Sequence, residues 1–188
     1  MCVTLAASFI CAGLVYFVVV GERTRDADVQ DVEEVVVTDD IRDIVIAAVD
    51  ARVRERDRAL AHINGRLLNN VGNIPGQYDE IAKMCKKRNV PADLMTTMIS
   101  RGKNVVGELQ SLPEGVQYRL ISTGGQVPGS GGFTVYASLP VLDQRSHFAV
   151  CIVTGSREEP TSGGVMAFLL SKSDRGWKVV DDVVLAVF

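Results

Sequence analysis

Histidine and cysteine are scarce in this 188-residue chain, and their scarcity excludes much site chemistry. The whole supply is two histidines, His62 and His147, and four cysteines, Cys2, Cys11, Cys85 and Cys151. Structural zinc sites need such ligands at close spacing, and the sequence has neither a C-x-x-C pair nor a zinc-type array. His62 has Arg66 at the i+4 position, where a helical ligand partner would stand. His147 follows Asp143, Gln144 and Arg145 at the start of an expected strand. Both histidines read as structural or solvent-facing residues. A basic stripe is also missing. The formal net charge is −3, which argues against nucleic-acid binding. There is no Gly-x-Ser-x-Gly elbow. The glycine-rich loop 124–132 lacks the Lys-Ser/Thr pair and the following helix that a phosphate-cradling loop requires. It reads as a hairpin connection, as does 157–164. No catalytic, cofactor-binding or metal-binding residue is assigned, and the chain is not expected to be an enzyme.

Charge is absent from the first 21 residues, and there the absence is itself a signal. The apolar run 1–21 ends abruptly at Glu22-Arg23-Thr24-Arg25-Asp26. About 20 apolar residues suffice to cross the hydrocarbon core of a bilayer as a helix. A cleavable signal peptide would need a basic n-region and a small-residue cleavage site. Here the n-region has no Lys or Arg, and Val19 and Gly21 make a weak site. Residues 1–21 are therefore read as an uncleaved transmembrane anchor, with cleavage as the alternative. An acidic linker, 22–38, follows; Val35-Val36-Val37 interrupts it and suggests extended structure. The remainder, 39–188, has the size of one domain. It is expected on the extracytoplasmic side of a single-pass membrane protein.

Within the domain, Thr38-Asp39-Asp40 offers N-cap oxygens to free backbone N–H groups. Ile41, Val45, Val49, Val53, Leu60, Ile63, Leu67 and Val71 recur mostly at spacings of three or four, which predicts one amphipathic helix over 40–71. The sign-alternating stretch 52–58 would be its solvated face. A second helix is expected from Gln77 to about Arg88. A third begins near Pro91, whose missing N–H costs nothing in a first helical turn; Leu94, Met98, Val105 and Leu109 would line it. After residue 115 the texture becomes strand-like. Strands are expected at 116–120, 133–139, 147–153, 165–170 and from Trp177 to Phe188, with a bulge or kink at Asp181-Asp182. The short connections predict antiparallel neighbours. The fold class is α+β: an N-terminal transmembrane helix, then helices packed on a curved antiparallel sheet of about five strands. Cys85 and Cys151 could pair only with their Cα atoms within about 7 Å of each other; otherwise they act as small buried hydrophobes.

Helices followed by an antiparallel meander, closing on Gly-Trp-Lys-Val-Val-Asp at 176–181, resemble the cystatin-like/NTF2-like α+β cone over residues 40–188. That superfamily includes enzymes, small-ligand binders and scaffolds of membrane complexes, so the resemblance implies a fold without choosing a function. No Asp/His pair of the kind used by its isomerases is recognisable. If a pocket exists, Trp177, Asp181, Asp182 and His147 are its best polar candidates. The anchor, the acidic linker and the poverty of reactive residues point to a membrane-anchored, non-catalytic interaction or scaffold subunit of an envelope assembly. Its partners would be other membrane or envelope proteins, or a second copy of the chain. The alternative is a cone-shaped domain that binds a small apolar ligand, with weak enzymatic activity at most.

Overall fold

The computed structural model describes residues 33–53, 61–69, 74–101, 105–122, 133–157 and 163–187. They belong to one compact unit, Val32–Phe188. The first strand, β1, spans Glu33–Val35. Helix α1 follows over Asp39–Arg52, and the Thr38 hydroxyl caps it by accepting from the Ile41 N–H at 3.4 Å. Asp39 and Asp40 sit in its first turn and Arg52 in its last, each matched in sign to the helix dipole. Two short strands come next, β2 (Ala61–Asn64) and β3 (Arg66–Leu68). Helix α2 covers Gln77–Lys87 and α3 covers Ala92–Ser100, with Pro91 at the N-cap of α3. The remaining strands are β4 (Val105–Glu108), β5 (Arg119–Ile121), β6 (Phe133–Ala137), β7 (Val141–Leu142), β8 (Phe148–Arg157), β9 (Gly164–Ser173) and β10 (Gly176–Val187).

Two sheets result. The smaller has the order β1-β4-β3. The larger has the order β10-β9-β8-β6-β2-β5, with β7 pairing beside β6 on β8. The run from β6 through β8 and β9 to β10 is antiparallel, whereas β2 lies between β5 and β6 and is parallel to both. Gly65 is the corner between the sheets. Its N–H donates to the Ile121 carbonyl and its own carbonyl accepts from Leu109, both at 2.8 Å. A Cβ there would lie 3.2 Å from the Ile121 oxygen and 3.3 Å from the Leu109 oxygen, so a side chain would crowd two carbonyls. One extended segment thus leaves the large sheet at Asn64 and enters the small one at Arg66, the usual way that sheets make a corner.

The large sheet is buried on both faces over its middle strands. Alternate residues point to opposite faces of a strand. Ala149, Cys151 and Val153 of β8, with Phe168 and Leu170 of β9, pack with Ile44, Val45, Ala48 and Val49 of α1. Val150 and Ile152 of β8, with Val165, Ala167 and Leu169 of β9, pack with Ile81, Met84 and Cys85 of α2 and Leu94 and Met98 of α3. Helices on both faces explain why β8 opens as an almost continuous apolar run. The small sheet adds Leu67 and Val105 to the α1 side.

The α+β class stands, but the expected architecture needs correction. The described residues contain ten strands in two sheets, not about five in one, and strands alternate with helices from the start. The helix predicted over 40–71 ends at Arg52, and residues 61–68 carry β2 and β3. The third helix stops at Ser100, so Val105 belongs to β4 and Leu109 to the segment directly after it. Val35, expected in the linker, is part of β1, which runs parallel to β4. The transmembrane helix expected at 1–21 lies outside the described residues. Among the described residues no helix is long and apolar enough to cross a membrane. The loop 124–132 also lies outside them. The bulge anticipated at Asp181-Asp182 is present as a register shift between Val179 and Asp181.

Candidate functional site

Trp177, Asp181, Asp182 and His147 fall in different environments. Trp177 stands opposite Lys172 on the β9–β10 ladder and packs against the α1-side core. Its indole Nε1–H donates to Asp40 Oδ1 at 3.2 Å. Lys172 Nζ donates to both Asp40 oxygens, at 2.9 and 2.7 Å, and lies 5.6 Å from the centroid of the Trp177 ring. Asp40 therefore holds an ammonium and an indole together at the start of α1. Lys172, and then Trp177, hold its carboxyl below the ordinary value.

Asp181 belongs to the other face. The register pairs it with Leu169, which packs under α2. Arg88 Nε donates to Asp181 Oδ2 at 2.7 Å, and Lys87 Nζ lies 3.0 Å from the same oxygen. These cations, Arg88 first, lower the carboxyl to about 2. Asp181 thus fastens the end of α2 to β10 at the bulge. Asp182 is exposed, pairs in register with Phe168, and donates its backbone N–H to Asp181 Oδ1 at 3.0 Å. His147 is also exposed. Its N–H and that of Phe148 donate to Asp143 Oδ1 at 2.7 and 2.8 Å, and its carbonyl accepts from Lys172 N–H at 2.9 Å. The backbone at His147 continues the β8–β9 ladder, while Trp177 and Asp181 work on opposite faces of the sheet.

The two described cysteines, Cys85 and Cys151, are both free. Cys85 lies in the α2-side core and Cys151 in the α1-side core, so the sheet separates them. Burial pushes the Cys85 thiol up to about 11 and the Cys151 thiol up to about 12. Such thiols are poor nucleophiles at neutral pH. Among the described residues no group of three or more His, Cys, Asp or Glu side chains could hold a metal ion.

Two polar features were not anticipated from the sequence. The first is a tyrosine–carboxylate bond: the buried Tyr118 hydroxyl donates to Asp50 Oδ1 of α1 at 2.6 Å. The second is His62. Read as a helical residue, it is instead the second residue of β2 and only 7% exposed. Ala61 and Ile63 on either side face the α1 core, so the imidazole faces away from it. Neither ring nitrogen has a hydrogen-bond partner among the described residues. A buried polar atom left unpaired costs about 1–3 kcal/mol, so His62 is a destabilising side chain as it stands. Strand alternation over 61–64 was the signal that could have placed it.

Compared with known proteins, the chain matches no protein-family model, no curated protein and no solved structure.

Proposed function

We propose that the domain is a non-catalytic interaction module whose docking element is the outer edge of β10. One observation carries this reading. β10 is twelve residues long, stands at the end of the large sheet, and has no partner on its outer side among the described residues. Its second half also exposes apolar side chains, with Val184 at 52% and Val187 at 80%. An unpaired strand edge offers a row of free backbone N–H and C=O groups, and proteins normally shield such edges. Adding a strand from another protein would satisfy those groups and cover the valines. The occupant is a strand of a membrane or envelope protein. The apolar run 1–21 would hold the module at the bilayer as a single-pass protein with its domain outside the cytoplasm. The antiparallel run from β6 to β10, closing on the strand that carries Trp177, supports placing the domain in the cystatin-like/NTF2-like superfamily.

The test is an affinity pull-down of the tagged full-length chain from gently solubilised membranes. It is run beside a Val184→Lys/Val187→Lys variant. A stoichiometric partner that the variant loses, at unchanged thermal stability, supports edge docking. A partner retained in full by the variant, or none captured by either protein, overturns it.

A further inference from the structure

We propose that His62, Arg119 and Thr134 form a binding site for a small oxyanion, a phosphate or a carboxylate, distinct from the β10 edge. The register places the three residues in one row. His62 of β2 pairs with Arg119 of β5 on one side and with Thr134 of β6 on the other. Residues in register on adjacent strands present their side chains to the same face, about 5 Å apart. The row therefore sets a guanidinium, an imidazole and a hydroxyl side by side over about 10 Å. All three groups can donate hydrogen bonds, and the guanidinium suits the paired oxygens of a carboxylate or phosphate.

The chemistry of this face is one-sided. Strands β2, β5 and β6 read Ala-His-Ile-Asn, Arg-Leu-Ile and Phe-Thr-Val-Tyr-Ala, so none of the three contains an acidic residue. The next positions on the same face are Asn64, Ile121 and Tyr136, none of them charged. His62 and Thr134 are each 7% exposed, whereas Arg119 and Tyr136 are exposed, so the row runs from a buried centre to solvent. The imidazole at the centre has no partner for either nitrogen among the described residues. An oxyanion accepting from Arg119 and from one imidazole N–H, and from the Thr134 hydroxyl, would supply what the fold leaves unmet. The α1-side core on the opposite face of β2 is unaffected by such a ligand.

The experiment exploits the chain's two histidines. The full-length protein, labelled with nitrogen-15 only at histidine, is held in a neutral detergent at constant ionic strength. Inorganic phosphate and acetate are titrated separately while the imidazole signals are followed by NMR, with a His147→Gln variant assigning them. Exposed His147 is the internal control. The expected result is a saturable shift of the His62 signals alone, with affinity at least tenfold weaker in Arg119→Gln. Saturation by phosphate only identifies a phosphate ester as the ligand class; saturation by acetate as well identifies a carboxylate-accepting site. Thr134→Val is a second, independent variant, expected to weaken binding several-fold. The proposal is overturned if both imidazoles drift together without saturation, or if neither variant changes the affinity. It stands or falls independently of the pull-down, because no residue of β10 takes part.

Discussion

Asp40 and Trp177 are 137 residues apart in sequence and 3.2 Å apart in the fold. The bond joins the first turn of α1 to the last hairpin of the large sheet, and Lys172 completes it from the facing strand. A single carboxylate thus ties the beginning of the domain to its end.

Trp177→Phe should cost about 1 kcal/mol of stability. It removes one hydrogen bond to a charged acceptor while keeping an aromatic ring on the core. Lys172 still satisfies Asp40 in the variant. Urea unfolding followed by circular dichroism measures the change. A midpoint equal to that of the parent would show that the indole N–H contributes nothing beyond its contact.

The carboxyl of Asp181, lowered from an ordinary 3.8 to about 2, makes a signed prediction about acid. A depressed carboxyl stabilises the fold above its unfolded value, and that contribution is lost as pH falls through its folded value. The advantage of the parent over Asp181→Asn should be full above about pH 4 and decline towards pH 2. Urea midpoints of both proteins at a series of pH values give the difference directly. An advantage independent of pH would remove the ion pairs with Arg88 and Lys87 as its source.

The Phe133 ring fills the space that a side chain at Gly155 would need. The ring of Phe133 lies over Gly155 of β8 so closely that a Cβ on the glycine would overlap it. Gly155→Ala should therefore cost about 1–3 kcal/mol, as overpacking does. In a Phe133→Ala background the same change should cost far less, because the obstacle is gone. A double-mutant cycle measures the coupling. Additive effects would contradict the contact.

The two described thiols should be silent in the native protein. Cys85 and Cys151 are buried, and both thiols are raised. A thiol reagent at pH 7 should label neither until denaturant is added, and the two should then react without prior reduction. Labelling of either one under native conditions would mean that its core opens locally.

Much of the fold was legible, and the failures have identifiable causes. The β8, β9 and β10 strands were visible because their apolar runs are long and their turns are marked. Thr38 was legible as an N-cap because its hydroxyl has a single local task. The false helix over 40–71 arose from a coincidence of periods. Ala61, Ile63, Gly65 and Leu67 are all buried, a period of two. Ile63 and Leu67 are also four apart, which a helix shares. Gly65 hid the alternation because it has no side chain to show. The short strands β1, β4 and β7 carry two to four residues each, too few for any pattern to stand out. Among the candidate site residues, the sequence could show that Trp177 and Asp181 lie near one another along a strand. It could not show that the bulge between them leaves each with a partner from a different helix. His62 was missed for the same reason as β2.

The position of β2 has a consequence for how the chain is made. Its four residues, Ala61–Asn64, are held between β5 and β6, which are not synthesised until residues 119–137. On the ribosome the early segment must wait, unpaired, while β3, α2, α3 and β4 are all made. Pairings that span such sequence distances are slow to form, and the waiting strand is open to wrong neighbours. The antiparallel run from β6 to β10 needs no such delay, because each strand there follows its partner closely. The C-terminal half is therefore expected to assemble first and to act as the template on which the N-terminal half closes.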